Sequence, residues 1–221
     1  MDGEIRIDHI PDRRLQDNGT VSRAFLERDL NTLRSTFRFV KQLPYRRNRD
    51  KAVVSAVLDE ACGTCSTKHA LLYRLIGEQG IAGFDLFTGI FRMNGHYAAR
   101  LGPLLEQHGL PYVPEAHCYL KYNGLVLDCT HAKSAALDFL PGLIKEIQIT
   151  PEQTGDFKVA FHKQFIQETV ATEPAFQHVT AEELWRIREA CIELLGYRRI
   201  VPNPFQLLWA FLGGLLSIDA D

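Results

Sequence analysis

Ala116-His117-Cys118-Tyr119-Leu120-Lys121-Tyr122-Asn123-Gly124-Leu125-Val126-Leu127-Asp128-Cys129-Thr130 is the most informative run in the chain. Asn-Gly between two strand-like runs is a strong short-range signal for a two-residue hairpin, because both central residues must adopt positive φ. With Asn123-Gly124 as the loop, Tyr122 pairs with Leu125, Tyr119 with Asp128, Cys118 with Cys129 and His117 with Thr130. Side chains alternate between faces along a strand. One face then carries His117, Tyr119, Lys121, Val126, Asp128 and Thr130. The other carries Cys118, Leu120, Tyr122, Leu125, Leu127 and Cys129, and reads as core. His117 and Asp128 become diagonal neighbours with Cα atoms roughly 7–8 Å apart, a gap that two such side chains can bridge. A carboxylate so placed holds an imidazole by one nitrogen and leaves the other free for a nucleophile. A slip of one residue would put the two on opposite faces.

A candidate nucleophile lies upstream, in Ala61-Cys62-Gly63-Thr64-Cys65-Ser66-Thr67-Lys68-His69-Ala70-Leu71-Leu72. The glycine turn delivers Cys65 to the first turn of a helix, where free backbone N–H groups and the positive end of the dipole favour thiolate over thiol. The same amides suit an oxyanion formed when sulfur attacks a carbonyl. Cys62 falls in the turn before the helix and lacks this placement. Cys62-x-x-Cys65 also admits a zinc or redox reading. Against zinc, Cys118 and Cys129 turn away from His117 toward the core, and their spacing matches no knuckle. Against redox, the pair leads into no βαβ unit. His69, one turn into the helix, and His131 are secondary candidates. His69 could face the site, although a histidine so placed is more often at the surface, and His131 is a rival base to His117.

Gly63-x-Cys65 before a Leu-rich helix, His117 on a strand and Leu127-Asp128-x-Thr130 together resemble the transglutaminase-like branch of the papain-type cysteine enzymes. The resemblance covers about residues 50–131. It implies an α+β fold with a papain/transglutaminase-like core, in which a nucleophile helix packs on an antiparallel sheet and flanking helices lie outside. It implies a triad of Cys65 as nucleophile, His117 as general base and acid, and Asp128 as orienting carboxylate. The activity implied is acyl transfer through a thioester, with a peptide, amide or ester substrate and either water or an amine as acceptor. No metal or organic cofactor is required. The chain departs from the family in having Tyr119 where Trp is common and Cys129-Thr130 after the acid. No residue is assigned as the upstream oxyanion-hole side chain. The alternative is a non-catalytic interaction module of the same fold.

The rest of the chain reads outward from these two stretches. Glu4 to Ile10 alternates like a short strand. A helix is expected from about Val21 to Lys41, capped by Thr20 or Ser22. A second follows Asp50 and carries Val53, Val54, Val57 and Leu58. The Cys65 helix should run to Gln79 and stop at Gly80. Phe84 to Met93 and Leu143 to Ile149 read as strands, and Tyr97 to His108 as a helix interrupted at Gly102-Pro103. Phe157 to Thr169 and a segment capped by Thr180 and Glu183 read as helices. The organisation expected is an N-terminal strand and helix over 1–49, a catalytic core over 50–150, and a C-terminal helical extension over 151–221 packed on that core.

Net charge is −2 over 221 residues, so nothing suggests a nucleic acid or anionic membrane partner. The one basic cluster, Arg46-Arg47-Asn48-Arg49 with Lys51, reads as a solvated loop or as a contact for an anionic substrate. No apolar run reaches the length of a membrane span of about 18 residues. Met1-Asp2-Gly3-Glu4 does not open a secretory signal, so a cytoplasmic location is expected. The five cysteines, an odd number, are then expected as thiols. The apolar stretch from Pro204 to Ile218 could pack on the domain or join two copies of the chain as a homodimer.

Overall fold

The computed structural model describes residues 6–50, 53–132 and 139–196. The fold is α+β. In chain order the elements are α1 (Thr20–Leu26), α2 (Leu33–Gln42), α3 (Ala56–Asp59), α4 (Cys65–Glu78), β1 (Phe84–Met93), α5 (Gly102–Gln107), β2 (Val113–Tyr122), β3 (Leu125–Leu127), β4 (Leu143–Gln148), α6 (Asp156–Thr172) and α7 (Ala181–Gly196). The strands form one antiparallel sheet in the order β3-β2-β1-β4.

The hairpin has the expected two-residue loop. Asn123 and Gly124 have φ values of 49° and 83°, the type I′ requirement, and Tyr122 pairs with Leu125. Pairing stops early, however. β3 ends at Leu127, so the expected ladder through Asp128, Cys129 and Thr130 does not form. The cause is capture by α4. The Cys129 N–H donates to His69 Nε2 at 2.8 Å, and the Thr130 carbonyl accepts from Lys68 Nζ at 2.8 Å. Among the described residues, the early stop leaves the N-terminal part of β2, including His117 and Cys118, without a strand on that side.

Helix α4 buries Cys65, Lys68, His69, Leu71, Leu72, Leu75 and Ile76, the stripe expected at helical spacing. It packs on β1 and β2 in a core cluster with Leu86, Cys118, Leu120, Leu127 and Cys129. Phe25 of α1 and Phe37 of α2 join the same cluster. Alternate residues of the sheet, among them Phe91, Tyr119 and Val126, enter a second cluster with Ile166 of α6 and Leu184, Ile187 and Cys191 of α7. A buried ion pair, Glu115 of β2 with Arg188 of α7, fastens α7 beside the sheet.

Several sequence expectations are corrected. Glu4 to Ile10 is not a strand where it is described: Ile7–His9 is a 3-10 turn that buries Ile7 and Ile10. Alternation suggested a strand, but among the described residues no strand pairs with Arg6 to Ile10. The single helix over Val21 to Lys41 is two. Asp29 adopts φ of 58° after α1, and Thr32 with Ser35 forms a fresh capping box for α2. The helix after Asp50 is only the four residues of α3, and Val53 is exposed. Tyr97 to His108 splits into a 3-10 turn, Ala99–Leu101, and α5. The expectations at β1, β4, α4, α6 and α7 agree with the structure to within a few residues. Thr180 and Glu183 exchange the reciprocal cap bonds expected of them. The apolar stretch from Pro204 to Ile218, and with it the proposed homodimer contact, lies outside the described residues. Among the described residues, no helix is long and apolar enough to cross a membrane.

Candidate active site

The approach to Cys65 is built by a tight turn and a capped helix. Thr64 accepts from the Thr67 N–H through its side chain while Thr67 Oγ1 accepts from the Thr64 N–H, a reciprocal box worth about 1 kcal/mol. The loop before α4 is tied to it: Thr67 Oγ1 donates to Asn48 Oδ1 at 2.8 Å, and Asn48 Nδ2 donates to the Cys62 carbonyl at 3.0 Å. Gly63 has to be small, since a Cβ there would stand 2.9 Å from Thr67 Oγ1 and 3.0 Å from Lys68 Cγ. Cys65 and Ser66 fall at the first two helical positions. Their backbone amides donate to no protein acceptor among the described residues.

Cys65, His117 and Asp128 come together. His117 Nε2 lies 2.9 Å from Asp128 Oδ2, and Asp128 Oδ1 accepts from the Thr130 N–H at 2.7 Å. With Nε2 committed to the carboxylate, Nδ1 is the nitrogen left to face Cys65, which lines the same pit. The N-terminal end of α4 comes to His117 beside the part of β2 that, among the described residues, β3 leaves unpaired. Cys65 and His117 are only 5% and 7% exposed. Both line a pit of about 30 Å³ walled by Tyr45, Phe91, Met93 and Tyr97. Cys65 also borders a larger cleft of about 510 Å³ with Tyr45, Arg47, Ser66, Lys158 and Glu189 on its walls.

The electrostatics favour an ion pair. A hydrogen bond from Cys118, the Lys158 ammonium and His117 together hold the Cys65 thiol well below its usual pKa, although burial pulls the other way. Burial works against the His117 imidazolium, but Asp128 and Cys65 outweigh it and raise its pKa to about 10. Burial likewise opposes ionisation of Asp128, and the positive His117 more than compensates, so Asp128 stays a carboxylate. Cys118 is pushed upward by burial and by its charged neighbour Cys65. In this thiol pair Cys65 therefore carries the negative charge, being the partner with both the helix terminus and the imidazole.

Other residues sit differently from their sequence expectations. Cys118 is fully buried on the core face as expected, but it is not remote from the chemistry. The N-terminus of α4 lies over that face, bringing Cys118 against the Cys65 thiol and to 3.5 Å from Ser66 Oγ. His69 is not at the surface but wholly buried. Its Nε2 accepts the Cys129 N–H, so the ring proton is on Nδ1, which donates to the Cys65 carbonyl at 2.8 Å. Burial lowers its pKa to about 4 and keeps it neutral, so its 3.5 Å approach to Asp128 is not an ion pair. His131 stacks on Tyr45 with centroids 5.1 Å apart and borders the same pit, while the carboxylate bond goes to His117. Cys62 is met by Arg46 Nε at 3.3 Å. Among the described residues, no group of three or more His, Cys, Asp or Glu side chains is arranged to hold a metal ion, and all five cysteines are free.

The sequence reading missed Lys158. Its Nζ on α6 lies 3.6 Å from Cys65 Sγ and 3.1 Å from Ser66 Oγ. Nothing local marks it, because the contact joins residues 93 apart. Comparison of the chain with protein-family models, with curated proteins and with solved structures finds no match.

Proposed function

We propose that this protein is a thiol-dependent acyl-transfer enzyme with a Cys65–His117–Asp128 triad on a papain/transglutaminase-like core. The observation that carries the reading is the relay itself. A cysteine at a capped helix N-terminus shares a pit with an imidazole whose Nε2 is held 2.9 Å from a carboxylate. The order of the three residues along the chain and the antiparallel sheet beneath them support it further.

The steps follow from the protonation states. Cys65 rests as thiolate beside the His117 imidazolium. Sulfur attacks a peptide, amide or ester carbonyl, and the carbonyl π electrons move onto oxygen. The tetrahedral adduct collapses to a thioester as His117 protonates the departing amine or alcohol. His117, now neutral, takes a proton from water or an incoming amine, whose attack releases the acyl group. Water makes the enzyme a peptidase or amidase, and an amine makes it an acyltransferase. Free thiols suit a reducing, cytoplasmic setting.

The test is direct trapping. Mixing the protein with a p-nitrophenyl ester should give one equivalent of released nitrophenol in a burst and one acyl adduct that peptide mapping places on Cys65. A Cys65→Ser variant should give neither. An adduct on Cys62 or Cys191, or no adduct on a folded protein, would overturn the assignment.

A further inference from the structure

A thiol enzyme needs donors for the oxygen that becomes negative when sulfur attacks, and the Cys65–His117–Asp128 relay supplies none. The Cys65 and Ser66 amides at the start of α4 are free among the described residues, which offers backbone donors. Lys158 stands beside them. Its Nζ donates to Ser66 Oγ at 3.1 Å and toward Cys65 Sγ at 3.6 Å, and among the described residues no carboxylate pairs with it. The nearby acid, Glu115, is closed on Arg188. An ammonium has three donors, and these contacts use two. Lys158 also borders the 510 Å³ cleft that reaches Cys65.

Burial alone would push a lysine toward neutrality. Here it opposes the charge, but the single negative charge of the Cys118–Cys65 thiol pair and the Glu115 carboxylate prevail, and the Lys158 pKa rises to about 12. The side chain is therefore a cation whenever the enzyme works. The thiolate already has the His117 imidazolium as its counter-ion, so a second cation at the sulfur is more than the resting pair requires.

We propose that Lys158 is a catalytic residue that completes the oxyanion hole together with the Cys65 and Ser66 amides. The inference rests on the acyl-transfer reading above. On attack, the S–C bond forms, the C=O π pair moves to oxygen, and negative charge leaves sulfur for an atom two bonds away. Oxyanion donors work at about 2.7–3.1 Å from that oxygen. An ammonium 3.6 Å from Sγ on a flexible stem reaches it by a small rotation of its last bonds. When the adduct collapses, the pair returns to the carbonyl, the bond to the leaving group breaks, and His117 gives that group its proton. Lys158 transfers no proton and ends the step as it began.

Alkylation and acylation separate this role from simple stabilisation of the thiolate. Both reactions need the thiolate, but only acylation generates an oxyanion. At about pH 9, above the ordinary thiol pKa, Lys158→Met should alkylate with iodoacetamide within about threefold of the wild-type rate. Its single-turnover acylation by a p-nitrophenyl ester should fall ~100- to 1,000-fold. Lys158→Arg keeps the charge and donors and should recover part of the loss. If Lys158→Met does not fold by circular dichroism, Lys158→Gln carries the same comparison. Parallel losses in both reactions, or acylation equal to wild type, would overturn the proposal and leave the triad standing. Failure of the wild-type protein to acylate at Cys65 would overturn both readings.

Discussion

Asp128 acts on the reaction only through His117, by one bond from Oδ2 to Nε2 at 2.9 Å. Asp128→Asn is nearly isosteric and should fold, but its amide can present N–H where the imidazole needs an acceptor. In a serine triad such a change costs about four orders of magnitude. A thiol ionises more easily and leans less on its third member, so the loss expected in single-turnover acylation is roughly ten- to a thousand-fold. His117→Ala should lose more. Acylation by Asp128→Asn at the wild-type rate would show that another group orients the imidazole. Cys118 carries a finer prediction. Its thiol contacts Cys65 and favours the thiolate, so Cys118→Ala should move the pH profile of Cys65 alkylation upward while the fold is retained. An unchanged profile would mean that the sulfur–sulfur contact has no influence.

At the scale of elements, the site depends on α4 reaching past the end of β3. His69 and Lys68 hold the strand's continuation against the helix in place of a ladder. His69→Ala would remove the acceptor of the buried Cys129 N–H, at a cost of roughly 1–3 kcal/mol. Urea denaturation should show that loss, and a midpoint unchanged from wild type would mean water or a side chain replaces the ring. This part of the molecule also shows what could be read from sequence. The Asn123-Gly124 turn fixes register as far as Leu127, which leaves Asp128 at the end of the ladder and near His117, so two members of the candidate triad were readable from a local rule even though the ladder itself stops short of them. The helix cap and Gly63 made Cys65 readable in the same way. The stop of β3 at Leu127 was not, because its cause lies in side chains of a helix some sixty positions earlier. The break between α1 and α2 was missed for a different reason. The apolar spacing of Phe25, Leu30, Leu33 and Phe37 continues across Asp29, so periodicity outweighed the turn-forming residues Asp29 and Asn31. Lys158 had no local signature at all.

The whole molecule should report two of its buried histidines, His69 and His117, through its pH stability. His69 has a folded pKa of about 4, so an unfolded chain binds a proton there that the native state refuses. Stability is therefore full above about pH 6.5 and falls as pH drops toward 4, by ~3 kcal/mol at about 1.4 kcal/mol per unit of pKa. His117 has the opposite sign. Its folded pKa of about 10 gives a contribution present below about 6.5 and lost as pH rises through 10. Cys65, held low, offsets that loss up to about pH 8.5, where an unfolded thiol would ionise. The expected urea midpoint is flat from about pH 7 to 8.5 and lower on the acid side. A rise in stability below about pH 6 would show that His69 is protonated in the fold.

The central claim is that Cys65 is a thiolate at neutral pH, favoured by Cys118 and Lys158 and paired with the His117 imidazolium. Competitive labelling tests this most directly: brief exposure to limiting iodoacetamide across a pH series, peptide mapping of all five cysteines, and the same series on His117→Ala. In the wild-type protein Cys65 should label fastest at about pH 6 to 7, well under the ordinary thiol range, and in His117→Ala that advantage should collapse as its profile moves toward an ordinary thiol. Preferential labelling of another cysteine, or a Cys65 profile that does not move when His117 is removed, would contradict the account.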